Sequence, residues 1–69
     1  MSEQSTWTVT GMTCGHCVAS VTEEVGAIAG VTEVLVDLAT GAVRVTSESE
    51  LDPRAVAEAV EEAGYELAP

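Results

Sequence analysis

The chain has 69 residues, of which 46% are hydrophobic, and this composition suffices for the core of one small domain. The chain has twelve acidic and only two basic residues, so the formal net charge is −10 at pH 7. Nucleic acids and anionic membrane surfaces attract proteins through clustered lysines and arginines. The charge therefore argues strongly against both kinds of partner.

The beginning of the chain does not resemble a signal peptide. Residues 1–5 carry no basic segment and no apolar stretch follows them. No apolar run approaches the roughly 20 residues that a membrane-spanning helix needs. We therefore expect a cytoplasmic protein, in which a close cysteine pair is more often a metal or redox site than a structural disulfide.

The first predicted strand covers residues 4–10, because apolar and polar side chains alternate there. Trp7 and Val9 share the face that we expect to be buried, and three threonines occupy the other face. This alternation is typical of a strand with one side on the core and one side in water.

A helix is predicted next, from about Cys14 onward. Thr13 is a candidate N-cap, and Gly30 occupies the C′ position that glycine commonly takes after a helix. Apolar side chains recur in between at helical spacing and form the face that we expect to pack on the sheet. They are Cys17, Val18, Val21, Val25 and Ile28.

The next two predicted strands form a hairpin. Residues 31–38 alternate, and a turn over residues 39–41 leads to the returning strand at residues 42–46. In the first of these strands Leu35 shares one face with two acidic residues, and the opposite face carries two valines and Leu38.

A second helix and a short strand complete the pattern. Asp52 and Pro53 predict the start of the helix, because Asp caps free N–H groups and Pro suits the first helical position. Gly64 is predicted to end this helix, and residues 65–68 form the last strand. The expected core face consists of Val56, Val60 and Ala63, and the expected exposed face of Glu58, Glu61 and Glu62.

The predicted order over residues 1–69 is strand, helix, strand, strand, helix, strand. Two such halves make a ferredoxin-like α+β sandwich, in which both helices cover one face of a four-stranded antiparallel sheet. We therefore expect a single domain without an internal linker.

Cys14 and Cys17 are the residues that the sequence offers for chemistry. Placed three residues apart at the start of the predicted helix, they share one face, where the helix dipole favours thiolates. Two cysteines and one histidine cannot supply the four thiolate or imidazole ligands of a closed zinc site. Soft thiolates favour copper(I), and an open pair of them suits transfer of the ion. The pair therefore predicts a copper(I) site.

His16 and Met12 are candidate auxiliary groups. On a regular helix His16 points about 200° away from Cys14 and about 100° from Cys17, so we expect it to be exposed rather than bound to metal in the monomer. A contact with copper across a dimer stays open for this imidazole. Met12 carries a thioether, but methionine more often fills irregular space in a core.

A redox dithiol is the alternative interpretation of the cysteine pair. A cytosolic Cys-x-x-Cys beside a βαβ pattern is also typical of thioredoxin-like proteins. The chain is short for that fold, and Met-Thr rather than an aromatic residue precedes the first cysteine. We therefore favour metal binding.

The motif Gly11-Met12-Thr13-Cys14-x-x-Cys17 resembles the metal-binding motif of heavy-metal-associated domains, and within them of the small bacterial copper chaperones. Further similar segments follow in the family's order at residues 30–31, 36–41 and 61–66. The resemblance covers almost the whole chain. It implies the ferredoxin-like fold, copper(I) held by Cys14 and Cys17, and Tyr65 in the loop beside the metal.

The same resemblance implies a function without catalysis. It suggests that copper is carried in the cytoplasm and passed by thiolate exchange to a copper-transporting P-type ATPase. Two alternatives stay open: a regulatory metal-binding domain of such an ATPase, and the same fold carrying mercury(II), zinc or cadmium. An exposed two-thiolate site is also compatible with a copper-bridged homodimer.

Overall fold

The structure is a computed structural model that describes residues 2–13 and 15–68. Its elements follow the predicted order, which confirms the ferredoxin-like βαββαβ architecture. They are β1 (Glu3–Thr10), α1 (Gly15–Gly26), β2 (Val31–Asp37), β3 (Ala42–Ser47), α2 (Pro53–Glu62) and β4 (Glu66–Leu67). No helix in the described ranges is long and apolar enough to span a bilayer.

The four strands form one antiparallel sheet in the order β2-β3-β1-β4. Val43 of β3 lies between Trp7 of β1 and Val36 of β2, which fixes the register of the three longer strands. The short strand β4 pairs with the end of β1, where Val9 is opposite Leu67. This pairing brings the end of the first strand next to the beginning of the last one.

Valine side chains fill the space between the sheet and the two helices. Val9 of β1 is 3% exposed, and the other central valines are fully buried. Trp7 is half-buried and packs against this core, and its Nε1 donates a hydrogen bond of 2.9 Å to the Ser5 hydroxyl. The fully buried valines are Val21 and Val25 of α1, Val43 and Val45 of β3, and Val56 and Val60 of α2.

The opposite face of the sheet is open to solvent, as predicted from the threonines. Arg44 lies between Thr6 of β1 and Leu35 of β2 on this face. Leu35 is 54% exposed because the helices cover only the other side of the sheet.

α1 ends earlier than predicted. The sequence predicts Gly30 directly after the helix, but the last helical residue is Gly26. The Ile28 N–H donates to the Val25 carbonyl over 3.1 Å, an i→i+3 bond that tightens the chain beyond the helix. Ile28 still packs against the core, but from the following turn. Its apolar spacing therefore predicted contact with the core correctly and the length of the helix wrongly.

α2 begins and ends close to the predicted residues. Asp52 Oδ1 accepts a hydrogen bond of 2.9 Å from the Arg54 N–H, and Pro53 is the first helical residue. Gly64 follows the helix with a φ of +95°. Ala59 takes the buried place that was predicted for Ala63, which is half-buried. The acidic side chains at Glu58, Glu61 and Glu62 are exposed, as predicted.

Two predicted details of the strands are wrong. β2 ends at Asp37, so Leu38 lies in the turn and is 38% exposed instead of continuing the apolar face of the strand. The last strand is limited to Glu66–Leu67. Beyond it, the Ala68 N–H still donates to the Thr8 carbonyl over 2.8 Å, which extends the pairing by one bond.

Candidate metal centre

The motif that predicts metal binding lies at the junction between β1 and α1. Gly11, Met12 and Thr13 lead from the strand towards the helix. Cys14 lies outside the described residues, so its role as a ligand stays a prediction, and so does the N-cap role of Thr13 beside it. Cys17 lies in the first turn of α1 and is 8% exposed.

Cys17 begins the buried stripe of α1. A spacing of four residues places it in line with Val21 and Val25, both of which are fully buried. The packing of these valines on the sheet therefore fixes the backbone that carries the thiol. The N-terminal end of a helix also favours an anionic sulfur through its free N–H groups and its dipole.

Thr13 approaches Cys17 from the preceding loop. Its Oγ1 lies 3.8 Å from Cys17 Sγ, within hydrogen-bond reach of a sulfur atom, and either atom can be the donor. Thr13 itself is exposed. The thiol of Cys17 therefore contacts a hydroxyl group at the protein surface.

Tyr65, which lies between α2 and β4, borders the loop that follows β1. Gly11 has a φ of +91°, and a β-carbon on it would lie 3.4 Å from Cδ1 of Tyr65. The Tyr65 N–H donates to the Val60 carbonyl over 3.0 Å, as in the Schellman closure of a helix. The ring thus lies against the first residue of the motif, and its role toward a metal stays a prediction.

His16 and Met12 occupy different environments. His16 is exposed on the first turn of α1, and its backbone carbonyl accepts a hydrogen bond of 3.3 Å from the Ser20 hydroxyl. Met12 is half-buried and packs against the core. Both positions agree with the expected exposure of these side chains, and a contact of either with metal stays a prediction.

The donor groups near the motif are few. Within residues 2–13 and 15–68, no three or more His, Cys, Asp or Glu side chains form a group that could hold a metal ion. The predicted pair, Cys14 and Cys17, is a smaller and softer donor set, of the kind that favours copper(I) over hard cations.

Two contacts of the motif go beyond the sequence predictions. Thr13 and Cys17 are four residues apart, a spacing at which side chains meet on a helix, so the sequence contained a signal for their contact. The contact between Gly11 and Tyr65 joins the two halves of the fold, and no local pattern reveals it.

Two proteins of known name are similar to this chain in sequence. Copper chaperone CopZ of Bacillus subtilis (strain 168) is 40% identical over 67 residues, which are 96% of this chain and 97% of CopZ. Copper-transporting ATPase 2 of Rhizobium meliloti (strain 1021) is 42% identical over 57 residues, which are 83% of this chain and 7% of the ATPase.

A solved structure and a family model also match the chain. A structure described as CopZ metallochaperone superposes with a TM-score of 0.88 at 34% identity, covering 96% of this chain and 100% of its own. The model of the heavy-metal-associated domain matches residues 6–66, from β1 to the start of β4. The chain therefore belongs to the family of heavy-metal-associated domains.

Proposed function

We propose that this protein is a copper(I) metallochaperone, which binds the ion between Cys14 and Cys17 and passes it to a copper-transporting P-type ATPase. The observation that carries the proposal is the motif from Gly11 to Cys17 at the start of α1, in a chain that is 40% identical to a copper chaperone over 96% of its length. Soft thiolates are the ligands that select copper(I) in proteins.

Transfer would proceed by exchange of thiolate ligands. A thiolate of the acceptor bonds to the copper ion while one donor thiolate leaves, so the two proteins share the ion in passing. The ion's charge and oxidation state do not change, and no covalent bond of the protein outside the metal site is made or broken. The protein would therefore act as a carrier and not as an enzyme.

The similarity to part of a copper-transporting ATPase supports the proposed acceptor. If the acceptor domain holds copper(I) with a similar pair of thiolates, the ion can move between the two proteins with little difference in free energy. The alternative, a regulatory metal-binding domain of an ATPase, rests on a match to 7% of a copper-transporting ATPase, whereas the proposal rests on a match to 97% of a copper chaperone. Ligand exchange requires reduced thiols, and we therefore propose that copper transfer takes place in the cytoplasm.

A competition titration tests the proposal. The reduced protein is titrated with copper(I) against a copper(I) chelator, and in parallel with zinc, cadmium and mercury(II). We expect one copper(I) per chain, or one shared by two chains if copper bridges a homodimer, which native mass spectrometry distinguishes. A site that retains zinc or cadmium but yields copper(I) to the chelator would favour the alternative cargo.

The test uses the double variant Cys14→Ser/Cys17→Ser, and Ala19→Ser is its matched control. Ala19 is exposed on the same helix, so its variant adds a hydroxyl group without touching a thiol. We expect the double variant to lose copper(I) binding and the control to keep it. Unchanged affinity in the double variant would refute the proposal.

A further inference from the structure

A cavity lies near the start of β1, away from the end of this strand that leads to the candidate metal centre. Its volume is about 420 Å³, within the range of small-ligand sites. The strand ends at Thr10, and at about 3.3 Å per residue Glu3 lies roughly 20 Å from that end. The side chains that matter for its chemistry are Glu3, Trp7, Ser47, Glu50, Leu51 and Pro53.

We propose that this cavity binds an aliphatic diamine. The two ammonium groups of the ligand pair with the carboxylates of Glu3 and Glu50, and its methylene chain lies against the apolar side chains between them. This is a second binding site, and it does not depend on the proposed copper function.

The apolar part of the cavity is held in place by the core. Trp7 and Leu51 are half-buried and both pack against the buried valines. Pro53 is the first residue of α2, and its ring fixes the φ angle there. The Trp7 N–H already donates to the Ser5 hydroxyl over 2.9 Å, so the indole offers a ligand its π surface. Such a surface attracts cations.

The charge of the cavity is negative. Glu3 and Glu50 are exposed at its border, and neither arginine of the chain, Arg44 or Arg54, is among the residues that line it. Glu3 is opposite Ser47 in the pairing of β1 with β3, and Ser47 is 1% exposed. The backbone of one of the two carboxylates is therefore fixed by the sheet.

This combination of groups favours an organic cation over a metal ion. Calcium and magnesium require about six or more oxygen ligands, and residues 2–13 and 15–68 contain no group of three or more His, Cys, Asp or Glu side chains that could hold a metal. A hydrated ion would also place its water against Trp7 and Leu51. An alkylammonium ion satisfies both parts of the site, because its charge meets a carboxylate and its chain covers the apolar side chains. Two carboxylates match the two charges of a diamine.

The fluorescence of Trp7, the one tryptophan of the chain, reports binding directly. The reduced, metal-free protein is titrated with 1,5-diaminopentane at constant ionic strength. We expect a saturable change with a dissociation constant of about 0.1–1 mM, the affinity of a small ligand held by a few solvent-exposed contacts. Pentylamine has the same chain and one ammonium group, and should bind about two- to fivefold more weakly. Magnesium chloride should give no saturable change.

A lysine side chain of another protein carries the same alkylammonium group. Nα-acetyl-lysine amide represents this source, because a peptide backbone replaces its second charge. We expect it to bind no better than pentylamine. Tighter binding of this compound than of 1,5-diaminopentane would overturn the proposal in favour of a protein partner.

The matched variants are Glu3→Gln and Glu50→Gln, with Glu23→Gln as the control. Glu23 is exposed on α1 outside the cavity, so its variant changes the net charge equally. We expect each cavity variant to weaken binding of 1,5-diaminopentane about two- to fivefold, and the control to keep the affinity of the wild type. All three positions are exposed, so these variants do not disturb the core.

The contribution of the indole is measured by NMR, from the shift of the Glu50 amide during the titration. Trp7→Phe keeps an aromatic ring and should bind nearly as well as the wild type, whereas Trp7→Leu should bind about two- to fivefold more weakly. If Trp7→Leu does not fold, the glutamate variants decide alone.

Equal weakening in Glu23→Gln and Glu3→Gln would overturn the proposal, because binding would then follow the total charge of the protein. The same conclusion would follow if magnesium reproduced the fluorescence change, or if the shifts spread over acidic residues outside the cavity. Copper(I) takes no part in these titrations, so a failure of the proposed function leaves their outcome unaffected.

Discussion

Gly11 and Tyr65 lie against each other where the first and last strands meet, with only 3.4 Å between the position of a β-carbon on Gly11 and Cδ1 of Tyr65. Gly11 reaches this position with a φ of +91°, a conformation that side chains with a β-carbon rarely adopt. The loop that precedes the cysteines is therefore bordered by an aromatic ring from the other end of the fold. Its shape depends on both residues.

Gly11→Ala should destabilise the protein by about 1–2 kcal/mol, because alanine is strained at this φ. We also expect weaker copper(I) binding, since relief of the backbone strain at Gly11 moves the loop that precedes the cysteines. Urea unfolding and chelator competition measure the two effects. Gly15→Ala is the control, because a β-carbon there meets nothing within 4 Å, and alanine in a helix is more stable than glycine by up to about 1 kcal/mol. Equal stability of the two variants would contradict the prediction.

Gly41→Ala should be more damaging than Gly30→Ala, although both glycines have positive φ angles, +77° and +89°. A β-carbon on Gly41 would lie 2.6 Å from the Val9 carbonyl oxygen, whereas one on Gly30 meets nothing within 4 Å. We expect Gly30→Ala to cost about 1–2 kcal/mol from backbone strain alone. Gly41→Ala must in addition move β1, where the Val9 N–H donates to the Gly41 carbonyl over 2.8 Å.

Urea unfolding of these two variants gives the comparison. The larger loss is expected for Gly41→Ala, since the obstacle is backbone and not the end of a flexible side chain. A smaller loss than in Gly30→Ala would show that the turn relaxes without cost to the sheet.

Asp52→Ala should lower the free energy of unfolding by about 1 kcal/mol, the usual effect of removing an N-cap. The Asp52 carboxylate accepts the Arg54 N–H over 2.9 Å, and alanine leaves that donor at the helix end without a side-chain acceptor. Asp52→Asn is the matched control, because its amide oxygen can accept the same bond. Chemical denaturation of both variants tests this, and a loss as large in Asn as in Ala would assign the effect to charge.

Salt should stabilise the fold, because a net charge of −10 on 69 residues repels itself. We expect the urea midpoint to rise with sodium chloride, most steeply at low ionic strength, where screening changes fastest. A midpoint independent of salt would show that the carboxylates are too far apart to repel.

The same charge leads to a kinetic expectation for the proposed partner. If the acidic surface guides docking on a complementary ATPase domain, association should slow as salt rises. Stopped-flow mixing at several salt concentrations measures this rate. A rate that does not respond to salt would limit the charge to a role in solubility.

The sequence predicted the order of the elements because each has a strong local signal. Asp52-Pro53 begins α2, and the alternation around Trp7 and Val9 defines β1. The errors lie where tertiary contacts determine the end of a helix or a strand. Ile28 keeps helical spacing but packs from a turn, and Leu38 continues an alternation that ends when the chain reverses.

For the candidate site, the sequence predicted the loop and the burial of Cys17. The family resemblance placed Tyr65 in the loop beside the metal, but neither the hydroxyl of Thr13 beside the sulfur nor the contact of the Tyr65 ring with Gly11 was predicted. The first depends on side-chain rotamers. The second depends on the pairing of β4 with β1, which residues close together in the chain do not determine.

Cys17 continues the stripe of Val21 and Val25 along α1, and this arrangement links the ion to the unfolding equilibrium. A ligand that binds the native chain and not the unfolded one raises the free energy of unfolding, by about 2.7 kcal/mol when its free concentration is 100 times its dissociation constant. A two-thiolate motif retains some affinity in the unfolded chain, which reduces this gain. The shift of the melting temperature with copper(I) therefore measures how much of the site's affinity comes from the folded helix rather than from the two thiols alone.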